Sequence, residues 1–181
     1  MSTLVECQPA VIPYFKEGDS FPPNTLNLIY RKIVRQDLAK DLFHDRPDTT
    51  EEEFVEFLEK ETLTSIFMDL NGHVAGLAWI DRIEPTEKVK RGCASVVVFR
   101  EYWKPRVSTE FGRIFLGQAF NILDFDLIYG VTPEPNRLSR NYIARLGFQH
   151  VATVPGFCSY HGERVNARIS ILTKEQFNSK E

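Results

Sequence analysis

The sequence has no apolar run long enough to span a bilayer. Its longest, CASVVVF over residues 93–99, falls far short of the roughly 20 residues that a transmembrane helix needs. The first fifteen residues, MSTLVECQPAVIPYF, lack the basic start and apolar core of a secretory signal peptide. The three cysteines, Cys7, Cys93 and Cys158, are too few and too far apart for a disulfide framework. The sequence therefore predicts a cytoplasmic protein with reduced thiols and no membrane partner.

An excess of basic residues is also missing. Twenty-two lysines and arginines stand against 25 aspartates and glutamates, which gives a net charge of −3 and no overall positive field for nucleic acid. Tyr102 and Trp103 lie beside Lys104 and Arg106, a combination that can stack on bases. The patch is only four residues long, so nucleic-acid binding is not expected.

Metal-binding and phosphate-loop motifs are missing as well. The histidines at positions 44, 73, 150 and 161 have no metal-ligand spacing, and CSYH over residues 158–161 lacks a second pair of zinc ligands. Neither G-x-G-x-x-G nor G-x-x-x-x-G-K-[ST] occurs, which excludes the two commonest phosphate-binding loops. No metal is therefore expected.

What is present is a pattern of helices and strands over one domain, residues 1–181. Apolar residues recur at helical spacing from Leu26 to Ile33 and predict a first helix. Thr50 and Glu53 have the spacing of a capping box at the start of a second. Residues 1–64 are therefore interpreted as an N-terminal segment with two helices.

Residues 65–173 are interpreted as the sheet core. Two β-prone runs flank Asn71-Gly72, a strong signal for a hairpin. The nearly continuous apolar segment 92–99 predicts a third strand, covered on both faces. A long helix is expected from Ser108, as its N-cap, with an apolar stripe reaching Ile122.

The C-terminal part of the core is predicted as strand, helix and hairpin. DLIYGV over residues 126–131 is β-prone, and the helix after it ends at Gly147. The final hairpin turns near His161-Gly162. The full order predicts an α/β (α+β) fold with one mixed sheet flanked by helices, and it differs from the regular alternation of a doubly wound nucleotide-binding fold.

The stretch YGVTPEPNRLSRNYIARLGF, residues 129–148, carries a resemblance to a known family. Asn136 stands at the switch from strand to helix, Ser139 follows three residues later, and Gly147 with the next Phe ends the helix. Together with the order of elements, this stretch resembles the GCN5-related N-acetyltransferase (GNAT) superfamily. The resemblance implies the acyl-CoA N-acyltransferase fold, in which a central splay between the fourth and fifth strands holds acetyl-coenzyme A (acetyl-CoA).

The resemblance also implies a set of cofactor contacts. Val96, Val97 and Val98 would offer an open backbone edge to the amide-rich pantetheine arm. Asn136 would hydrogen-bond the same arm, with Ser139 facing the same side of the helix. Asn136 can equally serve as a helix cap, and the two roles can coexist.

The stretch REYWKPRVSTEF, residues 100–111, departs from the family's pyrophosphate loop, Gln/Arg-x-x-Gly-x-Gly/Ala. Arg106 stands in place of the central Gly and Ser108 in place of the last Gly or Ala, while Pro105 lacks an N–H. Lys104, Arg106 and Ser108 are the candidates to hold the phosphates instead, since Arg binds phosphate well. The alternative is a solvated loop.

The proton-transfer groups also differ from the family pattern. The usual Tyr, seven residues after the Asn, is Ile143 here, and Tyr142 is expected to face elsewhere because it lies about 100° around the helix. Its spacing with Leu138 and Leu146 predicts that it packs in the core. A Ser139-type hydroxyl or water would then replace it as proton donor. A carboxylate near the splay would act as base. The candidates by position are Asp81, Glu84 and Glu101, each with a surface charge as the alternative.

Two functions are therefore predicted. The first is an N-acetyltransferase that transfers an acetyl group from acetyl-CoA to an amine of a small molecule or a protein, with Glu101, Glu84 and Ser139 as catalytic residues and a homodimer as one assembly. The second is a GNAT-fold protein that has lost catalysis and serves in binding or assembly, for example in a phage. The altered loop and Ile143 favour the second. The family's acceptor specificity comes from the first helices and the last hairpin.

Overall fold

A computed structural model describes residues 10–14, 21–86 and 88–179. These residues form one mixed sheet of seven strands, in the order β1-β2-β3-β4-β5-β7-β6. The strands are β1 (Ala10–Tyr14), β2 (Leu63–Met68), β3 (Val74–Pro85), β4 (Lys90–Val98), β5 (Leu127–Pro133), β6 (Gln149–Tyr160) and β7 (Glu163–Thr173). The helices are α1 (Thr25–Arg35), α2 (Ala39–Leu42), α3 (Glu51–Lys60), α4 (Pro105–Asn121), α5 (Arg137–Arg145) and α6 (Lys174–Asn178), with a 3-10 turn at Arg100–Tyr102.

The sheet is splayed between β4 and β5, and the predicted fold is thereby confirmed. These parallel strands pair only at Arg91–Leu127, Gly92–Ile128 and Cys93–Tyr129. Beyond Cys93, β4 continues to pair with β3, while β5 pairs with β7 along its whole length. A gap therefore opens between β4 and β5 toward the ends of both strands.

Two hydrophobic cores cover the two faces of the sheet. On β3, Ala78 and Ile80 face a core formed with α4 and α6, whereas Leu77 and Trp79 face a core formed with α1 and α3. Successive strand residues point to opposite faces, which explains this alternation. The prediction that the third apolar run is covered on both faces is confirmed, since β4 contributes to both cores.

The predicted caps and turns are confirmed where their signals are local. Thr50 Oγ1 accepts from the N–H of Glu53 at 3.2 Å, and the Thr50 N–H donates to Glu53 Oε2 at 2.8 Å, completing the capping box. The last hairpin turns at His161 and Gly162, whose φ angles of 53° and 84° are those that a tight two-residue turn requires. Gly147, with φ 97°, ends α5.

The predicted start of α4 is wrong. The N-cap residue is Lys104, four residues before Ser108, and the first helical residue is Pro105. Proline suits the first helical position, because its missing N–H would have no partner there and its φ is already helical. Ser108 therefore lies inside the first turn, where its hydroxyl donates to Lys104 O at 3.2 Å. At the other end, Ile122 follows the last helical residue and is 68% exposed, so it does not belong to the buried stripe.

Three short elements are not predicted from the sequence. Strand β1 has only five residues and contains Pro13, which is tolerated because the strand lies at the edge of the sheet. Helices α2 and α6 span little more than one turn each. Cys7 and most of the N-terminal stretch lie outside the described residues, whereas Cys93 and Cys158 are free thiols. No helix among the described residues is long and apolar enough to cross a membrane.

Candidate active site

The gap between β4 and β5 exposes the backbone of alternate β4 residues. The N–H of Phe99 donates to Ala75 O at 2.9 Å, and a Cβ on Gly76 would collide with Val97 O. Phe99 and Val97 therefore turn their backbone groups toward β3. Because backbone direction alternates along a strand, Val96 and Val98 turn theirs toward the gap.

The prediction that three consecutive valines face the gap is therefore corrected for Val97. Its backbone is directed at β3, and its side chain packs in the α1/α3 core. On Val98, the carbonyl already accepts the indole N–H of Trp103 at 2.6 Å. The backbone groups of Val96 and the N–H of Val98 therefore form the open strand edge with which an amide-rich ligand could pair.

Asn136 caps α5 at the end of the strand on the other side of the gap. Its Oδ1 accepts from the N–H of Ser139 at 3.1 Å, which confirms the cap interpretation. The Asn136 side chain is buried, and its amide nitrogen has no hydrogen-bond partner among the described residues. An amide nitrogen can donate two hydrogen bonds. The cap therefore leaves a donor for a ligand, and the contact with a pantetheine arm stays a prediction. Ser139 is half-buried, with its N–H used in the cap.

The N-terminus of α4 lies where the resemblance expects the phosphates. A 17-residue helix carries unpaired N–H groups and a partial positive charge at this end, which suits an anion. Lys104 and Arg106 are exposed there, and neither forms an ion pair within the described part of the chain. Ser108 differs from them, because its N–H and hydroxyl both donate to Lys104 O inside the helix. Ser108 therefore has no donor left for a phosphate.

Tyr142 joins α5 to α4. Its hydroxyl donates to Ser108 O at 3.0 Å, and the residue is 9% exposed. Burial raises the pKa of this hydroxyl above its ordinary value. At Gly112 the two helices are so close that a Cβ would lie 2.6 Å from the Tyr142 hydroxyl oxygen. The predicted core position of Tyr142 is confirmed, and Ile143 beside it is half-buried.

Two of the proposed carboxylate bases are engaged in ion pairs. Glu84 pairs with Arg91 on the exposed surface, at the closed end where β4 and β5 are still hydrogen-bonded. Glu101 bonds Lys32 at 2.6 Å and Gln36 at 2.8 Å, and so ties the end of β4 to α1. Burial acts to raise the Glu101 pKa, but hydrogen bonds led by that of Lys32 outweigh it and lower the pKa, which makes a weaker base. Their catalytic roles stay predictions.

Asp81 is the third candidate, and its surroundings differ. It lies on β3 opposite Cys93, and its Oδ1 is buried with no hydrogen-bond partner among the described residues. Burial raises the pKa of this carboxyl, while Arg82, the Asp81 backbone and the Cys93 thiol act in the opposite direction. Burial, reinforced by Asp81, also raises the pKa of Cys93 to about 12, which keeps that thiol protonated and a poor nucleophile.

A cavity of about 940 Å³ covers this part of the sheet on the α3 side. Its floor consists of side chains from three strands: Trp79 and Asp81 of β3, Cys93 and Ser95 of β4, and Val131 of β5. Ser95 and Val131 lie on opposite sides of the gap, beyond the last paired residues. The cavity and the gap are therefore adjacent.

The cavity wall comes from the α2–α3 connection, α3 and the last hairpin. Residues 42–49 and Phe157 line it, together with one face of α3. Hydrogen bonds hold the hairpin against α2 and this connection: the Tyr160 hydroxyl donates to Asp41 Oδ1 of α2 at 2.7 Å, and the Ser159 N–H donates to Asp45 Oδ1 of the connection at 2.8 Å. Of the elements expected to set acceptor specificity, α3 and the last hairpin thus line one cavity.

The cavity is acidic and has unsatisfied polar atoms. Its lining has two guanidinium groups, Arg46 and Arg82, and six carboxylates. The carboxylates are Asp45, Asp48, Glu53, Glu56, Glu61 and Asp81. Trp79 Nε1 and Asp81 Oδ1 are both buried, and neither has a hydrogen-bond partner among the described residues. Each such atom costs about 1–3 kcal/mol if it stays unpaired, which favours a ligand or water here.

Sequence reasoning missed this cavity. Trp79 and Asp81 stand two apart in the run AWID, which places them on one face of a strand. That signal identifies the shared face but does not show that α3 leaves space above it. Residues 10–14, 21–86 and 88–179 contain no group of three His, Cys, Asp or Glu side chains that could hold a metal ion.

Solved structures with the same architecture include acetyltransferases. The chain is similar to a spermidine N-acetyltransferase from Vibrio cholerae in complex with CoA and spermine, with TM-score 0.77 and 11% identity over 94% of this chain and 98% of that one. It is also similar to Mycobacterium smegmatis RimJ in complex with CoA-disulfide, with TM-score 0.72 and 12% identity over 93% and 88%. No family model and no curated protein matches the sequence. The chain therefore has the acyl-CoA N-acyltransferase fold that these acetyltransferases share.

Proposed function

We propose that this protein is an N-acetyltransferase that transfers an acetyl group from acetyl-CoA to a cationic amine. The observation that carries the proposal is the contact between gap and cavity, where Ser95 and Val131 border both. A thioester held in the gap and an amine held in the cavity would meet there. Bringing two reactants together in this way is a large part of what an enzyme contributes.

The residues present at the gap suit a CoA cosubstrate. Val96 and the N–H of Val98 would pair with the pantetheine amides, and the unpaired amide nitrogen of Asn136 would donate to one of their carbonyls. Lys104 and Arg106, at the N-terminus of α4, would hold the phosphates by charge in place of a glycine loop. Acetyl-CoA supplies the activated carbonyl, and the protein supplies position and proton transfer.

Asp81 is the carboxylate best placed to act as base, ahead of Glu84 and Glu101. It lines the cavity next to the gap, it has no ion-pair partner in the described residues, and its raised pKa makes it a stronger base. It would take a proton from the bound ammonium and leave a neutral amine. The amine nitrogen then attacks the thioester carbon, forming the C–N bond as the C–S bond breaks.

Proton balance requires an acid for the departing sulfur. The sulfur leaves with the bonding electron pair, and the Ser139 hydroxyl, directly or through water, would donate a proton to it and regain the second amine proton. The N–H of Val98 could stabilise the negative charge that develops on the carbonyl oxygen. The products are the acetamide and free CoA. These roles need no metal.

The preference for a cationic amine rests on charge. Six carboxylates and two guanidinium groups line the cavity, so an ammonium is attracted and a carboxylate is repelled. One similar structure is a spermidine N-acetyltransferase holding spermine, which is a polycationic amine.

The test is release of CoA thiol from acetyl-CoA, measured over a panel of amines. We expect amines without a carboxylate to be acetylated faster than amino acids of the same length, and the rate to require Asp81. Acetyl-CoA binding without any acetyl transfer across the panel would instead support the alternative of a binding or assembly protein. The altered start of α4 and Ile143 are the features in favour of that alternative.

A further inference from the structure

We infer that the amine acceptor carries a neutral hydrogen-bond acceptor, such as an amide carbonyl or a hydroxyl, a short distance from its amine, and that the indole N–H of Trp79 selects it. The inference rests on the proposed function, because it names the class of molecule that the acceptor cavity binds.

The first step is the state of Trp79. The residue is 5% exposed, lines the cavity, and has an Nε1 with no hydrogen-bond partner in the described part of the chain. Its ring is held edge-to-face against Phe54 and Phe57, with centroid distances of 6.4 and 6.3 Å. A buried Trp N–H usually finds an acceptor, and an indole can only donate. The missing partner must therefore be an acceptor atom.

The second step is the position of Asp81. It lies two residues after Trp79, so the two side chains leave β3 on the same face, with Cα atoms roughly 6–7 Å apart. Asp81 Oδ1 is a buried acceptor that lacks a donor, and Trp79 Nε1 is a buried donor that lacks an acceptor. One small molecule that carries an ammonium and a nearby oxygen would satisfy both.

The third step is the charge of the cavity. Its excess of carboxylates opposes a second carboxylate on the ligand, so the oxygen that meets Trp79 is expected to be neutral. The volume of about 940 Å³ lies within the usual range for small-molecule sites and leaves room for more than a simple alkylamine. Amino amides and amino alcohols fit these requirements better than alkylamines.

The experiment compares 3-aminopropanamide with n-pentylamine, which have equal numbers of heavy atoms, in wild-type protein and in Trp79→Phe. The quantity is the ratio of kcat/KM for the amide to that for the alkylamine. We expect Trp79→Phe to lower this ratio by about tenfold or more, because the site then offers no donor to the carbonyl. Comparing the two proteins cancels the difference in basicity between the amines.

Trp103→Phe is the matched control. Trp103 is the only other tryptophan, and its N–H bonds Val98 O outside the cavity lining. Whatever this change does to the overall rate, the ratio between the two amines should stay at the wild-type value. A ratio unchanged in Trp79→Phe, with that variant folded by its melting temperature, would contradict the inference.

A binding measurement decides the question even if no amine is acetylated. In Trp103→Phe, Trp79 is the sole tryptophan, and its fluorescence reports on its own N–H. We expect 3-aminopropanamide to shift the emission to longer wavelength, as a hydrogen bond from the indole does, and n-pentylamine to leave it in place. Loss of turnover with this shift retained would overturn the proposed function but keep the inference. Equal spectra with both amines would overturn the inference.

Discussion

Cys93 on β4 and Tyr129 on β5 are the last residues that pair before the two strands separate. Glu84 lies on the paired side of this point, beside Arg91, whereas Ser95 and Val131 lie on the open side and line the cavity. Glu84, whose carboxylate forms an ion pair, is therefore separated from the surface at Ser95 and Val131 where two substrates can meet. Asp81, opposite Cys93, is the carboxylate nearest the junction.

Asp81→Asn should reduce activity and raise stability. In the variant, loss of the general base should lower the rate by about 10²-fold or more. In the wild type, kcat/KM should decline at low pH with a pKa above the ordinary carboxyl range, because burial raises the Asp81 pKa. A carboxyl with a raised pKa favours folding below its unfolded pKa, and that contribution is lost as pH rises through the folded pKa. Relative to wild type, Asp81→Asn should therefore gain more unfolding free energy at pH 7 than at pH 3.

The matched control for Asp81→Asn is Glu84→Gln, which removes an exposed carboxylate from the same strand. It should lose its ion pair with Arg91 at little cost in stability and keep most of the activity. A larger loss of kcat/KM in Glu84→Gln than in Asp81→Asn would reverse the assignment of the base.

Asn136 should show its two roles separately. Asn136→Ala removes the cap on α5 and should cost about 1 kcal/mol of unfolding free energy, whereas Asn136→Asp should restore most of it. An ionised Asp cannot donate to a pantetheine carbonyl, so Asn136→Asp should still bind acetyl-CoA about tenfold or more weakly. Melting temperature and calorimetric affinity measure the two effects. Recovery of both in Asn136→Asp would leave this residue as a cap alone.

Arg106 should contribute through the phosphates of CoA. Arg106→Ala should weaken CoA but not a pantetheine fragment without phosphates, and wild-type affinity should fall with salt, because exposed charges are screened. Arg113→Ala removes an equal charge further along α4, also exposed, and should change neither ligand much. An equal loss for CoA and the fragment in Arg106→Ala would contradict this role.

Tyr142 should contribute to stability, whereas Ser139 should contribute to proton transfer. Tyr142→Phe removes a hydroxyl that donates to Ser108 O, a carbonyl that keeps its helical N–H partner in α4, and should cost about 1 kcal/mol of stability, with kcat within about threefold of wild type. Ser139→Ala keeps the N–H that bonds Asn136 but removes the proposed acid, so kcat should fall by about 10²-fold. A fall in kcat confined to Tyr142→Phe would make the tyrosine the proton donor.

The sequence predicts the elements whose signals are local. Thr50 with Glu53, and Asn71 with Gly72, each specify a cap or a turn within four residues, and both are present. The prediction of Ser108 as the N-cap of α4 is wrong because Ser and Pro both favour helix starts, and Pro105 begins the helix earlier. The cavity could not be predicted, because it depends on how far α3 and the last hairpin stand above Trp79. Long-range spacing of that kind has no signal in one short stretch.

The most direct test of the account is calorimetric titration of the protein with acetyl-CoA, with melting temperature recorded in parallel. The account predicts one acetyl-CoA per chain, a dissociation constant in roughly the micromolar range, about −8 kcal/mol, and a rise in melting temperature with ligand concentration. Binding should weaken in Asn136→Asp and in Arg106→Ala. No heat and no thermal shift at millimolar acetyl-CoA would contradict the proposal that the gap between β4 and β5 binds the acetyl donor.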